Sequence, residues 1–127
     1  MNISEIMHRR VWVFKGEDLV EQALKIMNEK KINGAPVVDE DNNLIGMVVK
    51  ADIYRFLSDP GHYQSYPLNR VISKEVITAT KDEDIITVGK KLRSNNIVAL
   101  PVVEDQKVIG LVSVEDIVDY FIDKYEQ

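Results

Sequence analysis

The chain has 127 residues and a mass of 14.5 kDa, the size of a single ordinary domain and too small for a large multidomain enzyme. Sixteen basic side chains against 21 acidic ones give a net charge of −5, which disfavours broad attraction to nucleic acid or to anionic lipid. With no cysteine and only His8 and His62, disulfides, thiolate metal sites, iron–sulfur clusters and a cysteine nucleophile are excluded, and a histidine-rich metal site is not expected.

Met1 to Ile6 lacks the basic-then-apolar pattern of a signal peptide, and the longest apolar runs, such as Gly46-Met47-Val48-Val49, fall far short of the ~18–20 residues of a membrane span. The chain therefore reads as cytoplasmic, and the absence of cysteine agrees with a reducing compartment. Val20, Ala23, Leu24 and Met27 recur at i, i+3, i+4 and i+7, which predicts a helix ending near Lys30 or Lys31. Ala35–Val38 and Leu44–Val49 are apolar strands around a polar Asp41-Asn42-Asn43 turn, a hairpin signature. Ile53, Phe56 and Leu57 give the next helix an apolar face. Residues 58–67 combine Pro60-Gly61 with Pro67 and read as an irregular, solvated connector in which His62, Tyr63 and Tyr66 either are incidental aromatics or contact a ligand or partner. Beyond it, Ile85, Val88 and Leu92 continue a helical stripe despite Gly89, which costs ~1 kcal/mol of helix propensity relative to alanine. A second hairpin follows, Ala99–Val103 with Lys107–Val112 around Asp105-Gln106. The last helix carries Val114, Ile117, Val118, Phe121 and Ile122 on one face.

This order of elements is the same pattern twice. Asn33-Gly34-Ala35-Pro36-Val37-Val38-Asp39 recurs as Val98-Ala99-Leu100-Pro101-Val102-Val103-Glu104, with Pro36 and Pro101 65 positions apart. The same offset pairs Val11 with Val76, Lys25 with Lys90 and Ile32 with Ile97. It falls to 64 after the hairpin turn, pairing Gly46 with Gly110 and Asp52-Ile53 with Asp116-Ile117. One residue is missing from the second turn, where a hairpin tolerates a length change. The copies span roughly 3–58 and 68–123, which divides the chain into a first motif at 1–58, a linker at 59–67 and a second motif at 68–127. A copy of about 55 residues buries only ~60% of its unfolded surface, so the two are expected to be stable together.

Two features bear on chemistry. Ser113-x-x-Asp116 precedes an apolar helical run, the spacing of a capping box in which Ser113 caps the helix and Asp116 reaches back to the cap amide. Thr80-Lys81-Asp82-Glu83 has that spacing too and reads as a cap alone. The acidic clusters Glu17-Asp18 and Asp82-Glu83-Asp84 fall at helix starts, where carboxylates complement the helix dipole. No nucleophile, base and orienting group can be assembled, so the chain reads as non-enzymatic, with no catalytic residue and no metal site.

The repeated Pro-Val-Val strand and the Gly-x-x-Ser/Thr-x-x-Asp stretch resemble the cystathionine β-synthase (CBS) domain, in tandem as a Bateman module. The second copy carries Leu100-Pro101-Val102-Val103 and Gly110-Leu111-Val112-Ser113-Val114-Glu115-Asp116. The first keeps Gly46 and Asp52 but has Val49 in place of the hydroxyl residue. The resemblance implies an α/β (α+β) fold of two pseudo-symmetric β-α-β-β-α motifs, each a small sheet packed with two helices. It also implies clefts between the motifs that bind an adenosine-containing effector such as AMP, ADP, ATP or S-adenosylmethionine, with no cofactor required.

Carried over residue by residue, the second site takes Asp116 and Ser113 for ribose and phosphate, with Ile77, Thr78, Val98 and Ala99 enclosing the base. The first takes Asp52, Trp12, Val13, Gly34 and Ala35. Trp12 either stacks on a purine or fills the core. Lys50 either meets phosphate or is a solvated first-turn lysine. An aspartate in a helix's first turn can accept from both ribose hydroxyls, and helix N-terminal amides suit phosphate. Some relatives place His-Arg just before the Pro-Val-Val strand to bind phosphates, whereas this chain has Asn33-Gly34-Ala35 and Val98-Ala99-Leu100 there. The expected function is a regulatory sensor that modulates a partner protein, as a homodimer joined through helical faces. The alternative is a ligand-free dimerisation or protein-interaction module.

Overall fold

A computed structural model describes Met1–Glu126. In chain order it contains a 3-10 turn at Ile3–Glu5, β1 (Phe14–Lys15), α1 (Val20–Lys30), β2 (Gly34–Val38), β3 (Leu44–Val49) and α2 (Lys50–Leu57). A second 3-10 turn at Leu68–Arg70 precedes α3 (Ile85–Ser94), β4 (Ala99–Glu104), β5 (Lys107–Ser113) and α4 (Val114–Tyr125).

The helices bury the stripes that the spacing predicts: Val20, Ala23 and Met27 on α1, and Ile85, Val88 and Leu92 on α3. Each ends on a residue in a left-handed conformation, Lys31 directly after α1 and Asn96 two residues after α3. The hairpins β2–β3 and β4–β5 pair antiparallel, each with a register shift within its Val-Val pair. Asp105 and Gln106 both have positive φ and close the second hairpin as a two-residue turn. In the first, Asp39 and Asn43 bracket a three-residue turn through the Asp39 N–H, which donates to Asn43 O at 2.9 Å. The missing residue is therefore a turn residue.

The opening strand of each copy is short. β1 pairs parallel with β2 over two residues, and in the second copy only Ala79 bridges to Val102. In both cases a carboxylate three residues on captures the next amide. The Lys15 N–H donates to Asp18 Oδ2 at 2.8 Å and the Thr80 N–H to Glu83 Oε2 at 2.7 Å, turning the chain toward its helix.

The compact units differ from the sequence copies. One comprises Met1–Val11 with the chain from Ile77 onward, and the other Trp12–Val76. Each copy's leading segment thus packs on the body of the other copy, through the same bonds. In the first unit the Ile3 N–H donates to Glu83 O at 3.0 Å, and His8 and Leu111 exchange backbone bonds at 2.9 and 3.0 Å. In the second, Leu68 N–H donates to Asp18 O at 2.8 Å, and Met47 and Ser73 exchange bonds at 3.0 and 2.9 Å. Ile3 and Leu68 are fully buried, each in its own core. Gly110 and Gly46 are the points of close approach: a Cβ would lie 2.6 Å from Met7 Sδ at Gly110, and 2.8 Å from Ser73 O at Gly46.

The connector is irregular and largely exposed, as its composition implies, but it is not incidental. Leu19, the residue before α1, has no side-chain acceptor, so the first helical amides need partners elsewhere. They find them in the connector, where Tyr66 O accepts from Val20 N–H and Gln64 O from Glu21 N–H, both at 2.9 Å. Its rings are also engaged: His62 stacks on Phe56 with centroids 4.0 Å apart, and Tyr66 packs against the first-copy core.

Candidate functional site

In the second copy, Ser113 ends β5 and caps α4. The Asp116 N–H donates to Ser113 Oγ at 3.1 Å and the Ser113 N–H to Asp116 Oδ2 at 2.8 Å, so the capping box is complete. Val98 and Ala99 lie beside it. Ala99 pairs with Ser113 across the hairpin, Val98 O accepts from Val114 N–H at 2.9 Å, and Thr78 O accepts from Lys91 Nζ at 2.9 Å. Thr78 and Ile77 precede the Ala79–Val102 bridge, whose parallel register carries them alongside the start of β4. Val98 and Ile77 present apolar surface, 71% and 37% exposed.

Asp116 has a partner that the sequence did not suggest. His8 Nε2 lies 2.6 Å from its Oδ1, and since a carboxylate only accepts, that nitrogen carries the proton. His8 reaches the site because the leading segment of the first copy packs on β5.

The first-copy counterpart has the same backbone and different side chains. Gly34 pairs with Val49, Ala35 with Val48, and Asn33 O accepts from Lys50 N–H at 2.8 Å. Val49 occupies the cap position of α2, has no acceptor to offer, and lies where a Cβ on Gly34 would meet its Cγ1 at 2.9 Å. Asp52 Oδ1 accepts instead from Arg55 Nη1 at 2.7 Å, an i,i+3 pair whose spacing was visible in the sequence. An open groove of about 270 Å³ borders this pair, lined by Asp52, Arg55, Phe56, Asp59, Arg70 and Val71. Trp12 and Val13 precede β1. Trp12 is 43% exposed, so it is not a core filler, and Lys30 Nζ stands 4.3 Å from its ring centroid. Lys50 is half-buried at the start of α2.

The acidic clusters have local tasks. Asp84, not Thr80, caps α3, accepting from Ile86 N–H at 2.9 Å, and that bond holds its carboxyl below the usual range. Burial pushes the Glu83 carboxyl up, but the Lys91 ammonium at 2.6 Å and the Thr80 amide outweigh it and leave it lowered. Among the described residues there is no group of three or more acidic or histidine side chains placed to hold a metal ion, and no helix long and apolar enough to cross a membrane.

The CBS domain profile matches residues 3–59 and 68–123. The chain is 30% identical to the CBS domain pair of protein MJ0100, solved in complex with 5′-methylthioadenosine and S-adenosyl-L-methionine, with a TM-score of 0.88 over 98% of both chains. It shares its fold, at 22% identity and a TM-score of 0.89, with CBSX2 solved in complex with AMP, covering 97% of each chain. Homoserine O-acetyltransferase of Methanohalobium evestigatum is 35% identical over 116 residues, 91% of this chain and 23% of that protein. The chain thus spans about a quarter of the length of that relative. Two profile matches, one on each copy of the repeat, establish that the chain belongs to the CBS domain family as a tandem pair of its domains.

Proposed function

We propose that the chain is a regulatory, non-catalytic module that binds an adenosine-containing effector at its second-copy site and modulates a partner protein. The observation that carries this reading is the convergence of Ser113, Asp116, Val98 and Ala99 at the start of α4, in a fold 30% identical to a pair solved with 5′-methylthioadenosine and S-adenosylmethionine. Asp116 offers the ribose a carboxylate, the α4 amides and Ser113 suit a phosphate or another polar 5′ group, and Val98, Ala99, Ile77 and Thr78 flank the base. In the first copy the corresponding group is Asp52 with Trp12, Val13, Gly34, Ala35 and Lys50. Without a capping hydroxyl at Val49 it is the weaker of the two. AMP, ADP, ATP and S-adenosylmethionine are the effectors to compare, with the protein placed in the cytoplasm.

Homodimerisation through a helical face belongs to the same proposal. α4 leaves Val118 and Ile122 48% and 52% exposed on the face that its sequence marks as apolar. Effector binding would then regulate by its differential affinity for two arrangements of the assembly.

A ligand-free interaction module is the second reading, and one observation favours it: both aspartates already have a cationic or imidazole partner, Arg55 and His8. Calorimetric titration of nucleotide-stripped protein separates the two. Binding of an adenosine ligand that disappears in Asp116→Ala and persists in Asp52→Ala supports the effector site. No heat with any of the four ligands leaves the interaction module.

A further inference from the structure

We propose that His8 is a residue of the second-copy site, the group that a ribose must displace from Asp116, and that it thereby sets the affinity of the site. This rests on the adenosine-site reading above. The Asp116 carboxylate is only 14% exposed and its oxygens are divided. Oδ2 accepts from the Ser113 amide at 2.8 Å as part of the α4 cap, which leaves Oδ1 as the acceptor for an incoming hydroxyl. His8 Nε2 holds that oxygen at 2.6 Å. An approaching diol therefore meets the imidazole on the same oxygen.

The His8 side chain is built to leave. It is 64% exposed, while its backbone is fixed by the two bonds to Leu111, so a side-chain rotation alone uncovers Oδ1. Nor does the fold require an imidazole there. At the repeat offset the same backbone pairing is made by Ser73 with Met47, and the Ser73 hydroxyl donates to Glu75 O at 3.4 Å, not to Asp52. The histidine is thus a feature of one site, placed on its ligand-facing oxygen.

The test is calorimetric titration of the full chain with 5′-methylthioadenosine and with AMP, using wild type, His8→Ala, His8→Ser and His8→Gln. His8→Ser installs the residue that stands at the equivalent place beside Met47 and so controls for folding. His8→Gln keeps an N–H able to reach Oδ1. Removing an exposed competitor should tighten binding about three- to fivefold in His8→Ala and His8→Ser, and His8→Gln should return affinity toward wild type. Binding by His8→Ala where wild type shows none supports the proposal further. Unchanged or weaker binding in both His8→Ala and His8→Ser, with wild type still binding, overturns the role of His8 alone. If no variant takes up either ligand, the adenosine site falls and the role of His8 with it.

Discussion

The two copies carry one backbone and two different helix starts. At the start of α4, Ser113 and Asp116 cap the helix reciprocally and His8 closes on the remaining carboxylate oxygen. At the start of α2, Val49 cannot cap, and Asp52 turns to Arg55 on its own helix. What is shared is what the fold needs: the glycine under the leading segment, the backbone bond into the helix start, and the buried apolar residue of the 3-10 turn. What differs is the set of side chains at the helix start. A repeat thus helps to separate its own requirements, because a feature present in one copy alone asks for a local reason.

The largest effect tests the exchange of leading segments. Leu68 is fully buried in the core of the first copy, although it begins the second copy in sequence. Leu68→Ala should cost about 2–5 kcal/mol, the range for a buried leucine truncated to alanine. Hydrogen exchange will show where: protection should fall in β2 and β3, not in β4 and β5. Loss confined to β4 and β5 would mean that each copy folds on its own leading segment. The next effect sharpens the same point. Gly46→Ala should be destabilising by about 1–3 kcal/mol, because the new Cβ meets the Ser73 carbonyl of the backbone at 2.8 Å. Gly110→Ala meets first the Met7 side chain, with the His8 carbonyl of the backbone further off at 3.1 Å, and should cost less. Equal melting temperatures for the two variants would contradict that reading.

Much of this was legible in the sequence, and for a physical reason. Helix stripes, apolar strands and turn residues are local signals, so α1, α3 and both hairpins lie where Val20 to Met27, Ile85 to Leu92 and the Pro-Val-Val strands place them. The Ser113-x-x-Asp116 cap was equally local. The unreadable parts depend on which segment packs on which. Composition gave the connector no task, yet Tyr66 and Gln64 supply the acceptors that Leu19 cannot. His8 stands 108 residues from Asp116, and only the topology brings them together. Thr80 and Glu83 had the spacing of a cap, but Asp84, one residue further, sits at the position where its oxygen reaches Ile86.

Smaller effects address the caps and their charges. Ser113→Ala removes the α4 cap acceptor and should cost about 1 kcal/mol in chemical denaturation. Val49→Ala in the first copy removes no cap and should show only the loss of side-chain packing; an equal capping-type loss in both copies would erase the contrast between them. Glu83 adds a pH dependence to the second copy. Its carboxyl is lowered in the folded state, so its contribution is present above the usual glutamate range and is lost as pH falls from that range through the lowered value. Glu83→Gln should lower stability by up to about 1 kcal/mol at pH 7, and the gap from wild type should close in acid. A gap that stays constant from pH 7 to pH 3 would show that the Lys91 pair contributes nothing.

The smallest effect is a gain. At the repeat offset, Gly89 on α3 stands where α1 has Leu24, and it is the place where the second helix departs from good helix composition. A Cβ there would sit 3.7 Å from Ile117 Cδ1, an ordinary contact with no backbone in the way. Gly89→Ala should therefore raise stability by about 0.5–1 kcal/mol through reduced freedom of the unfolded chain, with a rise of a few degrees in melting temperature. A fall would mean that α3 and α4 cannot accept a methyl group between them. A rise would identify Gly89, unlike Gly46 and Gly110, as a glycine that the shared backbone does not need.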